Sequence, residues 1–348
     1  MTMIRIKDEF DILPELSKLV DGFVKVEWHE DHDVDIQPCH NDTMLSSDVL
    51  TVFINTEPDR DQATDGAFDT IRSMRPNNIF LVGEIDNQHW PFPTIFYPSF
   101  LKETLRVNNE FRYTIGEKKF LADALLGGMS QAKTNYRNII VIEMENQGLL
   151  EDCLVNLKPR FLNDERPGHR SLALDELDDP DFMGKATSND GEKIFETMVP
   201  TDDCGFGQSR YLSQIIPQRV YDATYVSLVA ETETQYGGFC VSEKISKPLI
   251  SGKPFFMFGA PGYLQALRDI GFKTFDRWWS EEYDAIHDPE KRIQAIVNTL
   301  ASFNSLSTEN KINYMEEMKA VTEHNREVCQ SDKFIIDVRE EIKRRLDE

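Results

Sequence analysis

The stretch CVSEKISKPLISGKPFFMFGAPG, residues 240–262, decides how the rest of the chain is read. Its "PFFMFG" is an uninterrupted apolar run ending on glycine, which predicts a short buried strand. "GFCVSEK" just before it predicts another. Ser242 stands where a helix N-cap would stand, with the helix beginning at Glu243. Glu243, Lys244 and Lys247 therefore fall on a short helix leading into a strand of a buried sheet. A lone glutamate–lysine pair is ordinarily a solvated helix face; what surrounds this one gives it a second use.

Working outward, 348 residues with 40% hydrophobic content are enough for a sizeable core. At roughly 100–200 residues per domain, two domains are expected. A formal net charge of −23 argues against a broad electrostatic footprint on nucleic acid or an anionic membrane, though a local basic cleft remains compatible with it. The five cysteines are scattered without a C-x-x-C pair, so neither a disulfide framework nor a zinc site is expected. No run approaches the ~18 apolar residues of a membrane span, and "MTMIRIKDEF" lacks the pattern of a signal peptide. A cytoplasmic location is the expectation.

In the first hundred residues "DVLTVFINTEPD" (48–59) and "NIFLVGEID" (78–86) run apolar and break at carboxylates, with helical spacing through Ala67, Ile71 and Met74 between them. This rhythm predicts an open α/β sheet, in which ligands sit beyond the carboxyl ends of the strands. Glu57 and Glu84 would lie there. "HWPFPTIFYPSF" (89–100) reads as a connector or a pocket wall. A second α/β pattern opens near residue 118. "YRNIIVIEMENQGLL" predicts a helix ending at Gly148, "LEDCLVNL" a strand, and "YVSLVAE" a strand ending in Glu231. Residues 158–209 read as a polar excursion. "GYLQALRDIG" predicts a short helix closed by Gly271, "FKTF" a last strand, and the chain from Pro289 onward a series of helices.

Arg137, Glu231 and the "SEK" turn thus fall on carboxyl-end loops of one predicted sheet and are expected to converge. Fixed cations beside a helix N-terminus suit a diphosphate, and carboxylates beside them suit sugar or ribose hydroxyls. This order of elements resembles the donor-binding half of fucosyltransferase-type glycosyltransferases. More closely still, it resembles glycosyltransferase-like proteins of tailed phages. The resemblance rests on "DALLGG", Arg137, "SLVAET", the block SEKISKPLISGKPFFMFGAPGYLQALRDIGFKTF (242–275) and "EEYD" (281–284). It covers about residues 118–300. Glu231 is followed by threonine rather than the Asn-Ser of the fucosyltransferases.

The resemblance implies a GT-B-like α/β fold, with two Rossmann-like domains facing a cleft. Residues 1–117 would form an acceptor-side domain and 118–300 a nucleotide-sugar-binding domain. Residues 301–348 would be C-terminal helices bracing the two. It implies that Arg137 and Lys244 contact phosphate, with Lys247 as a second phosphate contact. Glu231 would contact ribose or sugar, and Glu243 would orient Lys244 or the sugar. The nucleotide-sugar is then a substrate, with no cofactor and no metal expected. Glu57 and Glu84 are the general-base candidates. The acceptor would be a hydroxymethylated pyrimidine in phage DNA or a glycan, and Arg5, Lys7, Lys118, Lys119 and Arg137 are candidates for a basic lip toward DNA.

Alternatives are a binding protein of the same fold without catalysis, or a nicotinamide-dependent oxidoreductase. The absence of G-x-G-x-x-G after any strand weighs against the latter. "HEDHDVD" (29–35) offers metal-ligand types but lies ahead of the strand pattern such a motif should end, and is expected to be a solvated loop. Trp278 and Trp279 are expected to pack.

Overall fold

The computed structural model describes residues 3–8, 26–28, 49–55, 79–83, 94–108, 110–128, 136–158, 169–170, 215–231 and 239–347. Contacts divide the chain into two compact units. One comprises residues 1–100, 239–241 and 331–348, the other 101–238 and 242–330.

The first unit carries a five-stranded sheet. Its strands are β1 (Met3–Asp8), β2 (Val26–Trp28), β3 (Val49–Asn55), β4 (Ile79–Gly83) and β5 (Thr94–Phe96), in the order β2-β1-β3-β4-β5. Every pairing is parallel, with Ile6 opposite Val52 and Ile54 opposite Val82. The expected strands at 48–59 and 78–86 are therefore present as β3 and β4. The segment 89–100 contains the edge strand β5, and helix α1 (Ser99–Asn108) begins at its end. The helix expected between β3 and β4 lies outside the described residues, as do Glu57, Glu84 and the "HEDHDVD" run.

The second unit carries the other sheet, in the order β10-β9-β6-β7-β8. Its strands are β6 (Phe120–Gly128), β7 (Cys153–Lys158), β8 (His169–Arg170), β9 (Thr224–Ala230) and β10 (Phe255–Phe258). Four of them are parallel, and β8 is an antiparallel edge. Every residue of β9 and β10 is buried. Unbroken apolar runs of this kind are what a parallel sheet covered on both faces requires. The helices are α2 (Tyr136–Asn146), α3 (Gln218–Ala223), α4 (Glu243–Ser251), α5 (Tyr263–Asp269), α6 (Pro289–Asn304) and α7 (Thr308–Gln330); α8 (Lys333–Asp347) belongs to the first unit. Helix α6 packs on α2 and β10, and α7 packs on α4.

The helical spacing after Pro289 is confirmed by burial. Ile293, Ile296 and Leu300 on α6 are buried, as are Met315 and Met318 on α7. Asp288 caps α6, accepting from the N–H groups of Glu290 and Lys291. Trp279 packs, as expected, with its ring stacked on Phe256 at 4.4 Å between centroids and edge-on to Phe303 at 5.8 Å.

Two expected strands are absent among the described residues. Among the described residues of "GFCVSEK", 239–244, only Phe239 makes a bridge, because Ser242 turns the chain by capping α4. "FKTF" has no regular strand either. The Asn325 side chain accepts from Lys273 N–H at 2.7 Å and donates to Lys273 C=O at 2.9 Å. One asparagine on α7 thus satisfies the backbone groups that a neighbouring strand would have met.

Candidate functional site

The end of β6 sets the first part of the site. Its pairing with β7 is irregular between Leu125 and Gly127, and Gly127 has φ +68°, which glycine tolerates without strain. A Cβ at Gly127 would lie 3.8 Å from Nη1 of Arg137, the second residue of α2. Arg137 is 6% exposed. Burial lowers its pKa, opposed by the carboxylates of Glu231 and Glu243.

The neighbouring strand β9 ends by delivering Glu231, whose N–H donates to Phe258 C=O of β10 at 2.9 Å. The head of α4 and the start of α5 close on its carboxyl group. The Ser242 hydroxyl lies 2.6 and 2.7 Å from the two oxygens and donates to them. The same Ser242 oxygen accepts from Lys244 N–H at 3.1 Å, so a single hydroxyl caps α4 and ties it to the end of β9. Tyr263, at the start of α5, directs its hydroxyl toward Glu231 at 3.4 Å. The glycine of "PFFMFG" makes room for that ring, since a Cβ on Gly259 would fall 2.6 Å from Tyr263 Cδ2.

The head of α4 supplies the cations. Lys244 Nζ donates to Glu243 Oε1 at 2.9 Å and lies 3.8 Å from Glu231 Oε2. Burial pulls the Lys244 ammonium pKa down, but the two carboxylates outweigh it and the net shift is upward. Burial works to raise Glu243, and Lys244 and Lys247 reverse it, holding this carboxyl below its ordinary range. Glu231 is pushed up, chiefly by burial, with Lys244 opposing. Lys247, one turn along α4, feels Glu243 and Asp123; burial lowers its pKa to about 8.

Arg137, Glu231, Glu243 and Lys244 are thus brought together at the carboxyl ends of β6 and β9, with Lys247 beside them. Three cations meet two carboxylates, a local positive excess in a chain of net charge −23. Chemically the set offers fixed cations at a helix head and a buried hydrogen-bonding carboxyl group, which suits a phosphorylated, hydroxyl-bearing ligand.

The basic lip is corrected. Lys118 and Lys119 precede the first residue of β6, whereas Arg137 follows its last. At ~3.3 Å per residue the strand separates them by roughly 27 Å. Lys118 instead covers the Tyr113 ring at 4.6 Å and Lys119 that of Phe120 at 5.1 Å.

Sequence reasoning missed a second polar cluster, at the opposite end of the sheet. Lys253, just before β10, is 1% exposed. It donates to Asp123 Oδ1 of β6, to the Thr224 hydroxyl and to Tyr221 C=O. Ser227 and Thr224 of β9 also donate to Asp123 Oδ1, at 3.0 and 2.9 Å. The legible signal was Asp123 itself, a carboxylate inside "FLADALLGG", which a strand covered on both faces must partner. The "EEYD" block also proves to be bracing. Asp284 accepts from Leu264 and Gln265 N–H at the head of α5, and Glu281 binds Arg268, Thr274 and Phe275 N–H.

Among the described residues no helix is long and apolar enough to cross a membrane. No protein-family model matches the chain, and no curated protein matches it either.

Proposed function

We propose that the chain is a glycosyltransferase that moves a sugar from a nucleotide-sugar donor to a hydroxyl acceptor. The observation that carries this is the gathering of Arg137, Glu231, Glu243 and Lys244 around the Ser242-capped head of α4. In this proposal Arg137 and Lys244 hold the donor diphosphate and Lys247 is the second phosphate contact. Glu231 receives a ribose or sugar hydroxyl, and Glu243 orients Lys244. Cations placed at the leaving group offset the charge that grows there as the glycosidic bond to phosphate breaks. A base then takes the acceptor hydroxyl proton. Glu57 and Glu84 are proposed for that role.

The proposed architecture is GT-B-like. It has an acceptor-side domain at 1–117, a donor domain at 118–300 and bracing helices at 301–348, acting without metal or cofactor in a cytoplasm. The proposed acceptor is a hydroxymethylated pyrimidine in phage DNA, with a glycan as the alternative. Loss of Lys118 and Lys119 from the lip leaves less to neutralise DNA phosphates and strengthens the glycan alternative. A catalytically inactive nucleotide-sugar-binding protein would keep the same residues. Donor turnover separates the two.

A thermal-shift screen against UDP-, GDP-, CMP- and dTDP-sugars tests the donor site, and one of these should raise the melting temperature. The stabilised donor is then incubated at low salt with hydroxymethylcytosine duplex or with glycans. A mass increase of one sugar on the base identifies DNA as acceptor; unchanged DNA removes that acceptor. No shift with any donor overturns the glycosyltransferase proposal.

A further inference from the structure

Two lysines stand one turn apart on α4 and are held differently. Lys244 is clamped, with Glu243 at 2.9 Å and Glu231 at 3.8 Å. Lys247 has neither a hydrogen bond nor an ion pair among the described residues. The charged groups that face it are Glu243 and Lys244 on its own helix and Asp123 on β6. Both carboxylates are already engaged, Glu243 with Lys244 and Asp123 with Lys253, Thr224 and Ser227. Lys244 repels Lys247 from one turn away. Lys247 is therefore a cation with no hydrogen-bonded or ion-paired counter-charge among the described residues, beside the cluster that the donor diphosphate would occupy.

We propose that Lys247 is the proton-exchanging cation of the anion site. Protonated, it donates a charge-assisted hydrogen bond to a bound diphosphate; deprotonated, it withdraws that contact while Lys244 stays charged. This deepens the donor-site proposal and rests on it. No covalent bond is made or broken. Above the free lysine's midpoint, binding takes one proton from the buffer onto the amine, and release of the anion returns it.

The sign follows from linkage. Burial brings the free ammonium to about 8, and an adjacent diphosphate favours the charged form and raises it. Affinity is then greatest below pH 8, falls as pH rises through 8, and levels off above the midpoint of the bound state. Arginine at this position stays charged throughout.

The test is calorimetric titration of inorganic pyrophosphate, UDP and GDP into wild type and Lys247→Arg at pH 7.5 and 9.5. The ligands' own titration is common to both proteins. Wild-type affinity should fall about tenfold more than that of Lys247→Arg over this range. Binding with the same pH dependence in both proteins overturns the inference and leaves the donor site standing. Failure of all three ligands to bind wild type at either pH overturns both. A second measurement needs no variant: acetylation of the ligand-free protein, read lysine by lysine by mass spectrometry across pH. Lys247 should reach half-maximal reactivity near pH 8. A Lys247 whose reactivity shows no midpoint near pH 8, whether it keeps rising to the top of the range or stays unreactive throughout, also overturns the inference.

Discussion

The two ends of the second sheet each bury charge, and they do so in opposite ways. At the amino end, Lys253 and Asp123 face each other inside the core, and every hydrogen bond of the ammonium is made within the chain. The rings of Tyr221 and Tyr113 close over Lys253 at 4.3 and 5.5 Å. At the carboxyl end, Arg137, Lys244 and Lys247 outnumber Glu231 and Glu243, and Lys247 is left uncompensated. Burial lowers the pKa of both Lys247 and Lys253. A lowered lysine pKa therefore does not by itself mark a functional site. What separates the two ends is closure: one network satisfies itself, and the other has charge to share with a ligand.

The comparison breaks most visibly at Lys253. Lys253→Met leaves Asp123 buried without its cation and should cost about 3–5 kcal/mol. Urea denaturation measures it, and Asp123→Asn in the same chain should recover part of the loss. A cost below about 1 kcal/mol would mean that the amino-end network is not the closed structural pair described.

The next effect is at Gly259. Gly259→Ala forces the Tyr263 ring away from its place beside Glu231 and should cost about 1–3 kcal/mol, since an inserted methyl must shift packed atoms. Tyr263→Phe keeps the ring and removes only the hydroxyl near Glu231. It should leave thermal stability nearly unchanged, which separates the packing role from the polar one.

Lys247 predicts the reverse sign. Lys247→Met should stabilise by about 1–2 kcal/mol at pH 7, because a charged group held partly out of water is removed. With the folded pKa below the unfolded value, the unfolded chain binds more protons between about pH 8 and ~10.4, so wild-type stability rises over that window. The variant lacks this rise, and its advantage should shrink toward pH 10. Parallel stability curves for the two proteins would show that Lys247 is not held as described.

Asp284→Ala is the smallest. It removes the acceptor of two N–H groups at the head of α5, where Gly262 offers no side-chain cap. The expected cost is about 1 kcal/mol, the usual scale of a lost N-cap.

Local order was legible wherever one residue type decides the outcome. "PFFMFG" and "YVSLVAE" could only be buried strands, Ser242 announced the head of α4, and Gly271 closed the turn after α5 with φ +107°. The gathering of Arg137, Glu231, Glu243 and Lys244 followed from strand-end logic, because parallel strands put successive carboxyl ends on one edge. Illegible were contacts set by distant partners. "FKTF" is paired by Asn325 more than fifty residues away, and Lys253 finds Asp123 across 130 residues. Nothing in the neighbourhood of either lysine on the α4–β10 segment tells that Lys253 is closed in while Lys247 is not. The misplaced basic lip has the same origin: Lys118 and Arg137 are near in sequence, but a nine-residue strand lies between them.

The central claim is that the carboxyl-end cluster is a nucleotide-sugar site, and titration of donors into wild type and Lys244→Ala tests it most directly. Lys244 is clamped by two carboxylates rather than being a free surface lysine, so a melting curve first establishes that the variant is folded. One of the UDP-, GDP-, CMP- or dTDP-sugars should bind wild type and weaken by about 10²-fold in Lys244→Ala, the scale of a lost charge-assisted contact. Equal affinity in the two proteins, or no donor bound by wild type, would contradict it.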